Sequence, residues 1–225
     1  MLHLFYGGTF DPVHNGHLAI ARAARDELDT LVALTPAADP PHRAPPGANA
    51  AQRTRMLELA IEGEAGLHVD RRELRRALRQ PERRSYTVDT LRELRDELGP
   101  RTPIAWLVGA DSLVGLPTWH EWRALFELAH FVVAERPGSP LDGELPAELA
   151  DAVAERWTRD AGDLRASPAG RIHRLHQPLQ PESASDVRRR IAGGTPWQAL
   201  VPPAVAAYIA DERLYFTSAA ADGPV

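Results

Sequence analysis

"LFYGGTFDPVHNGHLAIARAARDEL", residues 4–28, changes its hydrophobic period along its length. Residues 2–6 form an apolar run of strand type, and Gly7 and Gly8 interrupt it. From Asn15 onward, Leu18, Ala21, Ala24 and Leu28 recur at helical spacing. The segment therefore reads as strand, tight loop, helix. Such a loop directs backbone N–H groups and the positive end of a helix dipole at one place, which favours an anion. His14 and His17 stand between loop and helix, beside whatever binds there.

Working outward, apolar runs and helical patterns alternate. Further strands are expected at residues 31–35, 67–70, 104–108, 130–134 and 171–175. Helices are expected at 51–62, from about Thr87, and at 147–157, 185–192 and 203–211. This alternation predicts an α/β fold with a doubly wound, mainly parallel sheet. The proline-rich stretch "PAADPPHRAPPGANA", residues 36–50, is a loop, since proline suits neither a helix interior nor a central strand. The arginine-dense residues 71–84 read as a solvated charged loop rather than a binding patch. We expect a single domain over residues 1–217, with an elaboration at 137–170 and a disordered tail at 218–225.

With 225 residues, 44% of them hydrophobic, the chain can bury a core of ordinary size. Its 26 basic and 31 acidic residues give a formal charge of −5, which argues against a general nucleic-acid binder. An anionic substrate must then be held by local arginines and loop amides. The absence of cysteine removes disulfides and thiolate metal sites and suits a reducing, cytoplasmic setting. No run is apolar enough to span a bilayer and the amino terminus does not resemble a signal peptide, so no membrane partner is expected.

In an open α/β sheet the carboxyl ends of the strands meet at one crevice, so the loops at residues 7–17, 36–43, 109–112 and 135–138 are expected to line one pocket. Backbone amides at Gly8, Thr9 and Phe10, the Thr9 hydroxyl, His14, His17, Arg43 and Arg136 are all donors suited to anionic oxygen. "SASDVRRR" adds Ser183, Ser185 and Arg188 at a helix start, where the commoner use of the serines is an N-cap. The His14/His17 pair has no third or fourth partner at recognisable spacing, so no metal-ligating site is assigned. Trp119 would by default be core. "GGTFDPVHNGH" is too polar for a packing turn.

The same residues carry a family resemblance. "GGTFDPVHNGHL" (7–18) resembles the amino-terminal signature of the His-x-Gly-His nucleotidyltransferases. With it, "PPHR" (40–43), "RTRMLELAI" (53–61), "SYTVDTL" (85–91), "GADSL" (109–113), "PTWHEW" (117–122), "RPG" (136–138) and "SASDVRRRI" (183–191) resemble the bacterial nicotinate-nucleotide adenylyltransferases along nearly the whole chain. The resemblance implies a Rossmann-like nucleotidyltransferase fold. It also implies an enzyme of NAD biosynthesis that joins ATP to nicotinate mononucleotide, giving deamido-NAD and pyrophosphate, with Mg2+ carried mainly by the ATP phosphates.

Carried over by residue, His14, His17, Thr9 and Arg188 would be catalytic. Gly8, Thr9, Phe10, His14, His17, Gly109, Asp111, Ser183, Ser185 and Arg188 would bind ATP. Gly8, Thr9, Arg43, Tyr86, Thr87, Trp119, His120 and Arg136 would bind the mononucleotide. The chain departs from the family at Glu182, where an apolar residue is usual, and at Glu135, where a basic one often stands. Three readings stay open: this enzyme, a sibling transferase using another phosphate acceptor such as pantetheine phosphate or glycerol phosphate, and a non-catalytic nucleotide sensor on the same fold. A dehydrogenase is disfavoured because "GGTFDP" is not G-x-G-x-x-G. Assembly into a homo-oligomer is also left open.

Overall fold

The computed structural model describes residues 1–38, 47–82, 84–135, 141, 145–177 and 182–217. In chain order the elements are β1 (His3–Gly8), α1 (Asn15–Leu28), β2 (Val32–Pro36), α2 (Ala50–Ala60), β3 (Leu67–Val69), α3 (Arg72–Arg79), α4 (Thr87–Leu98), β4 (Ile104–Gly109) and α5 (Ala110–Val114). They continue with α6 (Leu125–Leu128), β5 (His130–Ala134), α7 (Ala147–Val153), β6 (Trp157–Thr158), α8 (Asp163–Ala166), β7 (Ile172–Arg174), α9 (Ala184–Ala192) and α10 (Pro203–Asp211).

Among the described residues the seven strands form one sheet in the order β3-β2-β1-β4-β5-β7-β6, and every pairing is parallel. The chain starts in the middle, winds to one edge, then returns across β1 to β4 and winds to the other. That reversal leaves a crevice between the carboxyl ends of β1 and β4, where an open α/β sheet binds its ligands.

Because strand side chains alternate between faces, the central strands must be apolar on both. Leu4, Tyr6, Leu34 and Leu107 join Leu18, Ala21, Ala24 and Leu28 of α1 in one core. Phe5, Trp106, Val108 and Phe131 join Leu91 and Leu94 of α4 in the other. Each fully buried leucine contributes roughly 1.5–3 kcal/mol, so the two cores fix the register that brings Gly8, Pro36, Gly109 and Ala134 to one edge. No helix among the described residues is long and apolar enough to cross a membrane.

Two expectations are corrected. Residues 71–84 are not a solvated loop throughout: α3 forms at Arg72–Arg79, with Arg72 and Glu73 buried, and residues 80–82 and 84 are exposed and non-helical. Arg72 pairs with Asp70 and with Glu97 at 3.1 Å, and Arg76 reaches Glu93 at 2.9 Å. The acids that neutralise these arginines lie partly on α4, beyond the reach of a local composition argument. The helix expected at 147–157 stops at Val153, and Trp157 instead begins an edge strand. That strand pairs with β7, so the last strand of the chain is interior to the sheet. The expected disordered tail, 218–225, lies outside the described residues.

Candidate active site

The loop after β1 is held by buried charge. Arg53, only 1% exposed, donates to three backbone carbonyls: Thr9 at 2.6 Å, Ala38 at 3.1 Å and Ala48 at 3.2 Å. Phe10 takes a left-handed φ of 52°, unusual for a bulky residue. Its ring lies close to where a Cβ on Gly8 would stand, at 2.9 Å, so only glycine fits there. The buried Asp11 carboxylate accepts from the N–H groups of Gly47 (2.8 Å) and Ala48 (3.1 Å) and from the Tyr215 hydroxyl (2.7 Å). Burial and the neighbouring Asp11 charge push the Tyr215 hydroxyl well above its ordinary pKa, so it remains a donor.

His14 is the N-cap of α1. Its backbone N–H donates to His17 Nδ1 at 3.2 Å, and the two rings lie 3.7 Å apart at 30°. The rings of Phe10 and Tyr6 meet the His17 ring in edge contacts, at 5.0 and 6.1 Å. Since Nδ1 accepts, neutral His17 carries its proton on Nε2. A donor is thereby set at the head of a helix, next to the loop amides.

Across the crevice, Ser183 caps α9 by accepting from the Asp186 N–H at 3.2 Å, so the cap reading holds for this serine. Arg188 on the same helix donates to the Asp11 carbonyl at 2.5 Å and lies 3.6 Å from its carboxylate. Asp11 thus ties α9 to the loop after β1.

Two cavities meet at this place. The larger, about 590 Å3, is lined by Gly8, Thr9, Phe10, His14, His17, Gly109, Asp111, Ser183, Ser185 and Arg188, together with Glu135 and Glu182. The smaller, about 260 Å3, is lined by Gly8, Thr9, Tyr86, Thr87 and Trp119, and also by Thr35, Glu73, Ser85 and Trp106. Gly7, Gly8, Thr9, Asp111 and Ser112 border both. Every larger-cavity residue expected from the sequence is therefore in one place. His120 does not line the smaller one: its ring lies 4.4 Å from that of Tyr86 at a tilt of 34°, and its side chain is half exposed. Arg43 and Arg136 lie outside the described residues.

The wall of the smaller cavity is tightly built. Buried Glu73 accepts from the Ser85 and Thr90 hydroxyls, each at 2.8 Å. Burial pushes its carboxyl up, against these hydrogen bonds and the nearby Arg76 charge. Ser85 leads into Tyr86, the N-cap of α4. The first N–H groups of α4, starting at Thr87, have no carbonyl within the helix to serve.

Asp11, Arg53, Glu73 and Trp106 were not singled out from sequence. For Arg53 a signal existed: it shares a helical face with Met56, Leu57 and Ala60, all buried. Among the described residues one group could gather three metal-ligating atoms, Glu27, His173 and His176, which do not line either cavity. Glu27 there accepts from His173 at 2.6 Å and from the His176 N–H at 2.8 Å, a hydrogen-bonded clasp between α1 and β7.

The cytidylyltransferase-like family model matches residues 5–190. A Stenotrophomonas maltophilia protein described as a probable nicotinate-nucleotide adenylyltransferase is 67% identical over 95% of this chain and 96% of its own. The chain belongs to the nicotinate-nucleotide adenylyltransferase family. A Xylella fastidiosa relative of the same description is 53% identical, again over 95% and 96% of the two chains. The fold matches that of a Plasmodium falciparum nicotinic acid mononucleotide adenylyltransferase solved with NaAD, with a TM-score of 0.69 over 95% and 97% of the chains at 15% identity. As an adenylyltransferase of NAD biosynthesis by family, the chain places its signature loop at the meeting point of two cavities.

Proposed function

We propose that the larger cavity holds ATP and the smaller holds nicotinate mononucleotide, so that the acceptor phosphate meets the α-phosphate of ATP at the shared wall. The observation that carries this is the border itself: Gly7, Gly8 and Thr9 line both cavities. A phosphate monoester has a second pKa of about 6, so its oxygen attacks without a general base. A bond forms from that oxygen to the α-phosphorus, the bond from the α-phosphorus to the leaving pyrophosphate oxygen breaks, and deamido-NAD results. What the protein must supply is alignment and donors for the developing charge.

In this reading His17 Nε2–H and His14 serve the ATP phosphates, and the loop amides at Gly8, Thr9 and Phe10 serve the transferred phosphoryl group. Ser183, Ser185 and Arg188 serve the adenylate end. Tyr86, Thr87 and Trp119 form the pyridine pocket, with His120 beside Tyr86, and Arg43 and Arg136 remain candidates for phosphate contact. The donor set suits Mg2+: Asp111, a carboxylate of the kind that reaches a hydrated Mg2+, stands at the shared border where the phosphates would carry the ion. When bound it would neutralise phosphate charge, with Asp111 reaching its water shell. A cytoplasmic location is part of the same proposal, supported by a chain without cysteine.

Pyrophosphate release with ATP, magnesium and a panel of acceptors tests the reading. Release with nicotinate mononucleotide is expected. Release only with pantetheine phosphate or glycerol phosphate would make the chain a sibling transferase, and ATP binding without release from any acceptor would make it a sensor.

A further inference from the structure

Trp106 lies in the middle of β4, 2% exposed, with its ring stacked near Phe5 at 6.4 Å. Its indole Nε1 is buried and has no hydrogen-bond partner among the described residues. The same ring lines the smaller cavity. It also crosses beneath Gly7: a Cβ there would stand 2.2 Å from the indole ring and 2.9 Å from Nε1, so the glycine is what lets the indole reach the border between the cavities. A phenylalanine would fill the core at this position without burying a donor. An unpaired buried N–H is costly, and such a group calls for an explanation. Indole nitrogen only donates; it lies beneath Gly7, at the border of the cavity that Trp106 lines and that is read above as taking a nucleotide bearing a phosphate and a carboxylate.

We propose that the Trp106 indole N–H is a specificity-determining donor of the acceptor pocket, giving its hydrogen bond to an anionic oxygen of the bound mononucleotide. This rests on the assignment of the smaller cavity to the acceptor. The penalty of the unpaired donor is then present only in the empty protein and is relieved on binding.

The test is Trp106→Phe, which keeps an aromatic ring and removes the donor. The KM for nicotinate mononucleotide should rise about tenfold, the size of one hydrogen bond to a charged group, with the KM for ATP unchanged. The melting temperature should not fall by more than the smaller ring accounts for. If the donor serves the carboxylate, the preference for acid over nicotinamide mononucleotide shrinks in the variant; if it serves the phosphate, both acceptors weaken alike. An unchanged acceptor KM would overturn the proposal. Should the variant fail to fold, the 15N-tryptophan spectrum of the wild type decides: one of the five indole N–H signals should move strongly downfield when nicotinate mononucleotide alone is added, and no such movement would overturn the proposal. Trp119→Ala separates the two levels. A raised acceptor KM in Trp119→Ala with none in Trp106→Phe defeats only the donor role, and no change in either defeats the pocket assignment.

Discussion

The donor of neutral His17 is on Nε2 because its Nδ1 is already committed to the His14 backbone N–H, and ring contacts with Phe10, Tyr6 and His14 leave the ring little freedom. A donor held this way adds most where charge develops, in the transition state. His17→Ala should therefore lower kcat by two to three orders of magnitude, equivalent to roughly 3–4 kcal/mol, while the KM values and the melting temperature change little. A near-normal kcat in a folded variant would remove His17 from the reaction.

His130 shows the opposite use of an imidazole. Its Nε2–H donates to the Ser167 carbonyl at 2.8 Å and its Nδ1 accepts the Arg171 N–H at 3.0 Å, which fixes the neutral ring. Burial holds its pKa below the ordinary value of 6.5, and the Arg95 and Arg171 charges add to this against the Ser167 bond. The unfolded chain thus takes up the proton first, so this contribution to stability is complete above about pH 6.5 and declines as pH falls through the lower folded value. Melting scans from pH 8 to 5.5 should show a steeper acid loss for the wild type than for His130→Gln. Parallel slopes would contradict this.

At the scale of elements, α9 acts through its first turn and through Arg188, which spans from the helix to the carbonyl and carboxylate of Asp11. Both groups line the larger cavity only. Arg188→Ala should raise the KM for ATP far more than that for the mononucleotide. Equal effects on both would reduce α9 to a structural clasp. The elements that were legible from sequence are those whose signal is local: the apolar runs of β1, β4 and β5, and the spacing of Leu18, Ala21, Ala24 and Leu28 on α1. The α3 helix was not legible, because its arginines are neutralised by Asp70, Glu93 and Glu97 from outside the helix. The two-residue strand β6 was not either, since Trp157 and Thr158 are too short a run to show a period.

For the molecule as a whole, the sequence order of the motifs conceals their spatial order. Residues 7–17, 109–112 and 182–188 come together because β1 and β4 are neighbours at the reversal of the sheet and α9 returns to the same edge. The convergence of residues 7–17 with 109–112 follows from the α/β alternation, whereas Ser183, Ser185 and Arg188 were placed beside them only by what the family resemblance implies. The smaller cavity was only half legible. Tyr86, Thr87 and Trp119 stood in recognisable motifs, whereas Glu73 and Trp106 reach it from α3 and from the interior of β4, where charge and bulk read as surface and core.

The pocket at Thr87 and Trp119 presents a ring to stack on and the first N–H of α4, at Thr87, which has no carbonyl within the helix to serve. Donors alone suit a carboxylate, while an amide NH2 would leave buried donors unpaired at about 1–3 kcal/mol each. The decisive measurement is kcat/KM for nicotinate mononucleotide against nicotinamide mononucleotide, with ATP and magnesium, in the wild type and in Trp119→Ala. The acid should be preferred by at least about tenfold in the wild type, since about 1.4 kcal/mol is one decade, and by less in a Trp119→Ala protein that still melts cooperatively. Equal use of acid and amide by the wild type would contradict the assignment of the smaller cavity to a pyridine carboxylate.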